Sequence, residues 1–180
     1  MRVIAGRYKG RKLEAPLDTS VRPTTDKVKE ALFDILMGDV DGSVFCDLFA
    51  GSGAIGIEAL SRGAERCWFC DSDRASIRLV KANLRACGTG DEARIITGDY
   101  KKALRKITDK VDIFFIDPPY ESGVYESCLS QIEILDLLTD DGIIITEHDS
   151  RTEMPELTDT LDKVRDHRYG KTVLSVYRKR

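Results

Sequence analysis

The sequence predicts an α/β domain built on a mainly parallel sheet, and three observations lead there. From Val44 onward, apolar runs of strand length alternate with stretches of helical periodicity, the order that packs helices on both faces of a parallel sheet. The first such unit, VFCDLFAGSGAIGIEALSRGA over 44–64, reads as a buried strand, a glycine turn and a helix. At the far end, Leu161 to Arg168 and Thr172 to Tyr177 are joined through Tyr169-Gly170-Lys171, which predicts an antiparallel hairpin on the sheet edge.

Taken in order, residues 1–16 predict a short hairpin. Arg2-Val3-Ile4-Ala5 pairs with Arg11-Lys12-Leu13 across a turn containing Gly6 and Gly10, and Tyr8 is expected near the tip among cations, placed to stack on a base. Thr25 suits a helix N-cap and Asp26 its first turn. Val28, Ala31, Leu32, Ile35 and Leu36 form one apolar stripe, and Gly38 is a natural stop. The strands are then expected at about 43–49, 66–71, 93–97, 111–116 and 143–146, with helices at about 53–62, 73–87, 100–107 and 124–137. No repeat, low-complexity tract or interdomain linker breaks the 180 residues, so one domain is expected.

Composition is that of a globular protein with a real core, 42% hydrophobic and 33% charged. No apolar run reaches the roughly 20 residues of a membrane span, and the N-terminus lacks the apolar core of a signal peptide. Five cysteines without framework spacing fit reduced thiols, and a cytoplasmic location is expected. The net charge of −3 hides an asymmetry. Arg2, Arg7, Lys9, Arg11 and Lys12 make the first twelve residues strongly basic, while the remainder is acidic. A basic arm on an acidic body suggests local grip on a polyanion, with nucleic acid favoured over a merely solvated tail.

Two features carry little. Cys67-Trp68-Phe69-Cys70 matches a CxxC spacing but lies inside an apolar strand with no second ligand pair. His148 and His167 read as polar residues at strand ends, since no nucleophile or metal constellation converges on them.

The chemistry is concentrated at the predicted carboxyl edge of the sheet. Asp47 interrupts the apolar run of the first strand, where a carboxylate is costly without partners. Gly51 and Gly53 bracket Ser52 and allow a tight turn with close approach of a ligand to the main chain. The helix that follows presents N–H groups to a polar ligand. Asp71 ends the second strand 20 residues after Gly51, the separation at which an acid holds ribose hydroxyls in a βαβ unit. This pair reads as a site for a nucleoside-containing cofactor, without saying which. Asp117-Pro118-Pro119-Tyr120 follows the fourth strand at the same edge. Two prolines fix the backbone and remove donors, leaving the Asp117 carboxylate and the Pro118 carbonyl as acceptors for a group with two N–H bonds, such as a nucleobase amine. Tyr120 is placed to stack on that base.

With DLFAGSG at 47–53, acids at 71 and 99 and DPPY at 117–120, the chain resembles the amino-group methyltransferases that use S-adenosylmethionine. RVIAGRYKGRKL at 2–13, RPTTDKVKEALFDIL at 22–36 and GIEALSRGA at 56–64 narrow the resemblance to the bacterial RsmD family of 16S rRNA guanine-N2 methyltransferases, over essentially the whole chain. The resemblance implies a Rossmann-like class I fold: a seven-stranded, mostly parallel sheet with a C-terminal antiparallel hairpin and an N-terminal β-hairpin. Residues 1–20 are then a basic extension and 21–180 the catalytic core. It implies S-adenosyl-L-methionine as cofactor, with Asp47, Gly51 and Gly53 at its methionine end, Asp71 on the ribose, Asp99 and Tyr100 at the adenine, and Phe49, Ala50, Ser52 and Ser72 completing the pocket. Asp71 stands where the family often has glutamate. Asp117 and Pro118 bind the guanine amine, Pro119 holds the turn, Tyr120 stacks on a flipped-out base, and no metal is needed. Arg2, Arg7, Tyr8, Lys9, Arg11, Lys12, Arg22 and Thr24 face RNA, the substrate being 16S rRNA within a 30S subunit or a late assembly intermediate and the enzyme a monomer. The alternatives are an adenine-N6 methyltransferase of DNA or RNA using the same DPPY site, an RNA-binding protein without catalysis, and a nicotinamide-dependent dehydrogenase.

Overall fold

A computed structural model of the chain describes residues 1–16, 26–119 and 123–180. After α1 (Asp26–Ile35) come β1 (Val44–Asp47), α2 (Ala54–Ser61), β2 (Arg66–Asp71), α3 (Arg74–Cys87), β3 (Ala93–Thr97), α4 (Tyr100–Leu104), β4 (Val111–Ile116), α5 (Val124–Ile134), β5 (Leu138–Asp149), β6 (Leu161–Tyr169) and β7 (Thr172–Lys179). The strands form one sheet in the order β3-β2-β1-β4-β5-β7-β6. β1 to β5 are mutually parallel, and the β6–β7 hairpin joins β5 antiparallel. This is the seven-stranded Rossmann-like sheet expected from the motifs. The order reverses beside β1, so the turns after β1, β2 and β4 share one edge, where open α/β sheets bind ligands.

Each face of the sheet has its own core. Phe45, Phe69, Ile113, Phe115, Ile143 and Ile145 pack with residues of α1, α2 and α3. Cys46, Trp68, Phe114, Ile116 and Ile144 pack with residues of α4 and α5. Alternation along β1 and β4 divides neighbours between the two faces, as pleating requires. Helix α2 is buried along its whole length, and Gly56 lets it lie on β2, since a Cβ there would sit 2.3 Å from the Phe69 ring. All five cysteines are buried, and burial pushes the Cys67 thiol well up, so the CxxC spacing is strand packing.

Element ends differ from expectation at α4, which stops at Leu104 rather than near 107, at α5 and at β5. α5 stops at Ile134 because Asp136 turns left-handed (φ 46°) and the Ile132 and Glu133 carbonyls accept from Leu137 and Asp136. β5 begins at Leu138, which pairs with Val111 ahead of a register shift that periodicity does not reveal. The proposed cap at Thr25 lies outside the described residues.

The N-terminal hairpin is narrower and better anchored than a tail. Its strands meet in a single bridge, Arg2 with Lys12, supported by Val3 N–H to Arg11 O at 3.0 Å. Val3, Tyr8 and Leu13 belong to the core on the α1–α3 face. Gly6 (φ 80°) presses on the end of α2, where a Cβ would overlap the Ser61 carbonyl. That carbonyl accepts from Arg7 N–H (2.8 Å), and Ser61 Oγ accepts from Tyr8 N–H (2.9 Å). The deepest anchor is Glu58 of α2, fully buried, which accepts from Ile4 N–H (2.8 Å), Ala5 N–H (2.9 Å) and Arg62 Nε (2.9 Å) and pairs with Lys29 (3.4 Å). Removing one partner of such a buried set is strongly destabilising, because the others lose their acceptor. Glu58→Ala should lower the unfolding free energy by about 3–5 kcal/mol, measured by urea denaturation, and an unchanged midpoint would show that the network contributes nothing.

Candidate active site

The turn after β1 is set by hydrogen bonds from its own backbone. Ala50 N–H donates to Cys70 O (2.8 Å), Gly53 N–H to Ala50 O (2.7 Å), and Gly51 N–H to Asp71 Oδ2 (2.9 Å). Gly51 has φ 55° and a Cβ there would meet nothing, so its open side faces a cavity. From α3, Asn83 Nδ2 donates to Ser52 O (2.9 Å) and to Glu14 O (3.0 Å), tying the turn to the N-terminal segment.

A cavity of about 380 Å³ opens at this edge, a size that suits a small molecule. The glycine turn from Phe49 to Ser52 forms one wall, Asp71 to Asp73 another, and Phe115, Asp117 and Pro119 a third; Asp47, Ala54, Ile55 and Lys29 close it. Three of its acids are perturbed. Burial drives Asp47 up to about 7, with the Asp71 charge adding to the shift and the Gly56 N–H at 3.1 Å opposing it. Burial also raises Asp71, against the N–H groups of Asp73 and Gly51. Desolvation raises Asp117 well above the usual carboxylate range, reinforced by Glu147 and then Asp47. Glu147, within β5, follows Thr146, the register partner of Ile116, so it lies on the strand beside Asp117.

The donor set fits an adenosyl amino acid. Each Asp71 oxygen accepts one backbone N–H and keeps a further lone pair for a ribose hydroxyl. Asp47 keeps one oxygen beyond its bond to Gly56 for an ammonium. The family model described as "Conserved hypothetical protein 95" matches residues 1–178. YlbH of Bacillus subtilis is 43% identical over the full length of both chains. The Escherichia coli ribosomal RNA small subunit methyltransferase D is 32% identical over 99% of this chain and 90% of its own. The solved structure of the Escherichia coli methyltransferase yhhF superposes with TM-score 0.89 at 32% identity, covering 99% and 97% of the two chains.

The chain belongs to the RsmD family.

The RsmD-family fold brings Asp47, Phe49, Ala50, Gly51, Ser52, Asp71, Ser72, Asp117 and Pro119 around one cavity. Gly53 packs against Phe69 and Val80, and Pro118 is buried; neither is in the lining. Asp99 and Tyr100 stand at the start of α4. Asp99 caps α4, accepting from Lys102 N–H at 3.0 Å, which lowers its carboxyl, and it lines no part of the cavity. Tyr100 lies behind Phe49 (ring centroids 5.9 Å apart) and donates to Ser127 Oγ. Tyr8 does not stand exposed at the hairpin tip as expected. Its ring is buried, its hydroxyl donates to Glu92 (3.2 Å) and Arg7 covers its face at 4.6 Å, so it is not an exposed stacking platform. Arg7 is itself paired with Glu92 at 2.7 Å, whereas Arg2, Lys9, Arg11 and Lys12 are exposed. Tyr120, Arg22 and Thr24 lie outside the described residues. Sequence reasoning missed Lys29, Glu58, Asn83 and Glu147; a glutamate inside the apolar GIEAL run was the one available signal.

Asp47 gives this site a pH signature. Folded, it holds its proton to about pH 7, whereas an unfolded aspartate releases it near ~4. Between these values the native state binds more protons than the unfolded one, so stability falls as pH rises through that window. Asp47→Asn should remove that fall, up to ~4 kcal/mol, when urea denaturation is compared across the window. An identical slope in the variant would assign the ionisation elsewhere.

Proposed function

We propose that this RsmD-family chain methylates the exocyclic N2 amine of a guanine in 16S rRNA, with S-adenosylmethionine as donor. The observation that carries the reading is Asp117, a carboxyl of raised proton affinity on the rigid Pro118-Pro119 turn, at the same cavity as the Gly51 turn and Asp71. The name of the Escherichia coli relative, a small-subunit rRNA methyltransferase, supports the substrate class.

Asp47, the Gly51 turn and Asp71 would hold the cofactor, which supplies a methyl group on a sulfonium that takes back the C–S electron pair as the C–N bond forms. The guanine amine is a weak nucleophile because its lone pair is delocalised into the ring. Asp117 and the Pro118 carbonyl accept its two hydrogens and aim the lone pair into the cavity, so positioning lowers the barrier. The carboxylate stabilises positive charge developing on nitrogen. It then takes the proton that N2 must lose and passes it to solvent, a task its raised proton affinity suits. A stacked guanine does not reach this cavity, so the base is flipped out. Arg2, Lys9, Arg11 and Lys12, exposed on the anchored hairpin, meet RNA phosphates.

The test is transfer of labelled methyl from S-adenosylmethionine to 30S subunits from a strain lacking the corresponding methylase, followed by digestion to nucleosides. N2-methylguanosine at one site is expected, and Asp117→Ala should lower the rate roughly 10²–10⁴-fold while cofactor binding persists. Wild-type activity should fall as pH drops through the raised Asp117 ionisation, because only the carboxylate accepts a proton. Label on adenine, or full activity in the variant, would overturn the assignment.

A further inference from the structure

Lys29 is the one cationic side chain among the described residues that line this acid-rich cavity. It projects from α1, is 1% exposed, and reaches that wall beside Asp47, Ala54 and Ile55. The other charged side chains in the lining, among those described, are Asp47, Asp71, Asp73 and Asp117, all acids. Burying an ammonium costs several kcal/mol unless partners compensate it. Lys29 donates to the Arg2 carbonyl at 2.5 Å and lies 3.4 Å from Glu58.

Glu58 does not neutralise that charge alone. Its carboxylate is already engaged by Arg62 at 2.9 Å and by the Ile4 and Ala5 N–H groups. Buried Lys29 and part-exposed Arg62 thus share the one Glu58 carboxylate, and Lys29 is the member that borders the cavity. An ammonium has three hydrogens, and the Arg2 carbonyl and Glu58 account for two acceptors among the described residues.

The proposed cofactor presents two positive groups, a sulfonium and an ammonium, and one carboxylate. The acids suit the positive groups and repel the carboxylate, and Lys29 is the cationic side chain that offers it a partner. We infer that Lys29 is the carboxylate-binding residue of this cavity, receiving the methionyl carboxylate of the cofactor. This rests on the cofactor reading given above. It also makes the root of the basic hairpin, through the Arg2 carbonyl, a neighbour of the cofactor's amino-acid end.

The test is calorimetric binding of S-adenosylhomocysteine and of its decarboxylated analogue, which keeps the amine, to wild type and to Lys29→Met and Lys29→Arg. Wild type should prefer the carboxylate ligand by about 10- to 100-fold, as for a charge-assisted hydrogen bond. Lys29→Met should bind the two ligands within about 3-fold of each other, and Lys29→Arg should retain the preference. A purely structural lysine would instead weaken both ligands equally in Lys29→Met and leave the preference intact, which overturns the inference. Equal binding of the two ligands by wild type also overturns it, and that arm decides the matter even if Lys29→Met fails to fold. Failure of both ligands to bind wild type would overturn the cofactor reading itself, and this inference with it.

Discussion

The constraint on which the site depends is that three strand ends bring acids together where little water reaches them. Asp47, Asp71 and Asp117 end β1, β2 and β4, which are neighbours in the sheet. Backbone N–H groups of Gly56, Gly51 and Asp73 hold two of these carboxyls in place without supplying a full counter-charge. The cavity therefore keeps a negative character that a ligand carrying positive charge relieves. In the proposed reaction the same desolvation would serve the chemistry, because it raises the proton affinity of Asp117.

A second buried group makes the basic hairpin part of the same rigid body. Glu58 collects two hairpin N–H groups, Arg62 and Lys29, so residues 2–5, α1 and α2 share one carboxylate. Val3, Tyr8 and Leu13 complete the attachment by joining the core. Cations on such a frame are presented at a fixed distance from the cavity, which costs less ordering on binding than a flexible tail would. Tyr8 illustrates the division of labour: its ring is packed inside, and only its cationic neighbours face out.

The parts of this arrangement legible in the sequence are those with local signatures. Strand and helix periodicity located every element of the sheet, and the reversal after Tyr169 announced the antiparallel pair. Asp47, Gly51, Asp71 and Asp117 stood out because a carboxylate or glycine at a strand end has few purely structural uses. What sequence could not show is where a side chain turns once its neighbours are in place. Asp99 has the position of an adenine contact, and its carboxyl also caps α4. Lys29 has the composition of a solvated helix face and is buried by a hairpin 27 residues earlier in the chain. Such pairings are long-range, and no local pattern encodes them.

The most direct measurement is a crystal structure of the protein with S-adenosylhomocysteine. The expected density has the ribose hydroxyls on Asp71, the amino-acid end between Asp47 and Lys29, and the sulfur facing Asp117 across the cavity. A ligand seated elsewhere, or one whose sulfur is walled off from Asp117, would contradict the assignment of this edge as the methyl-transfer site.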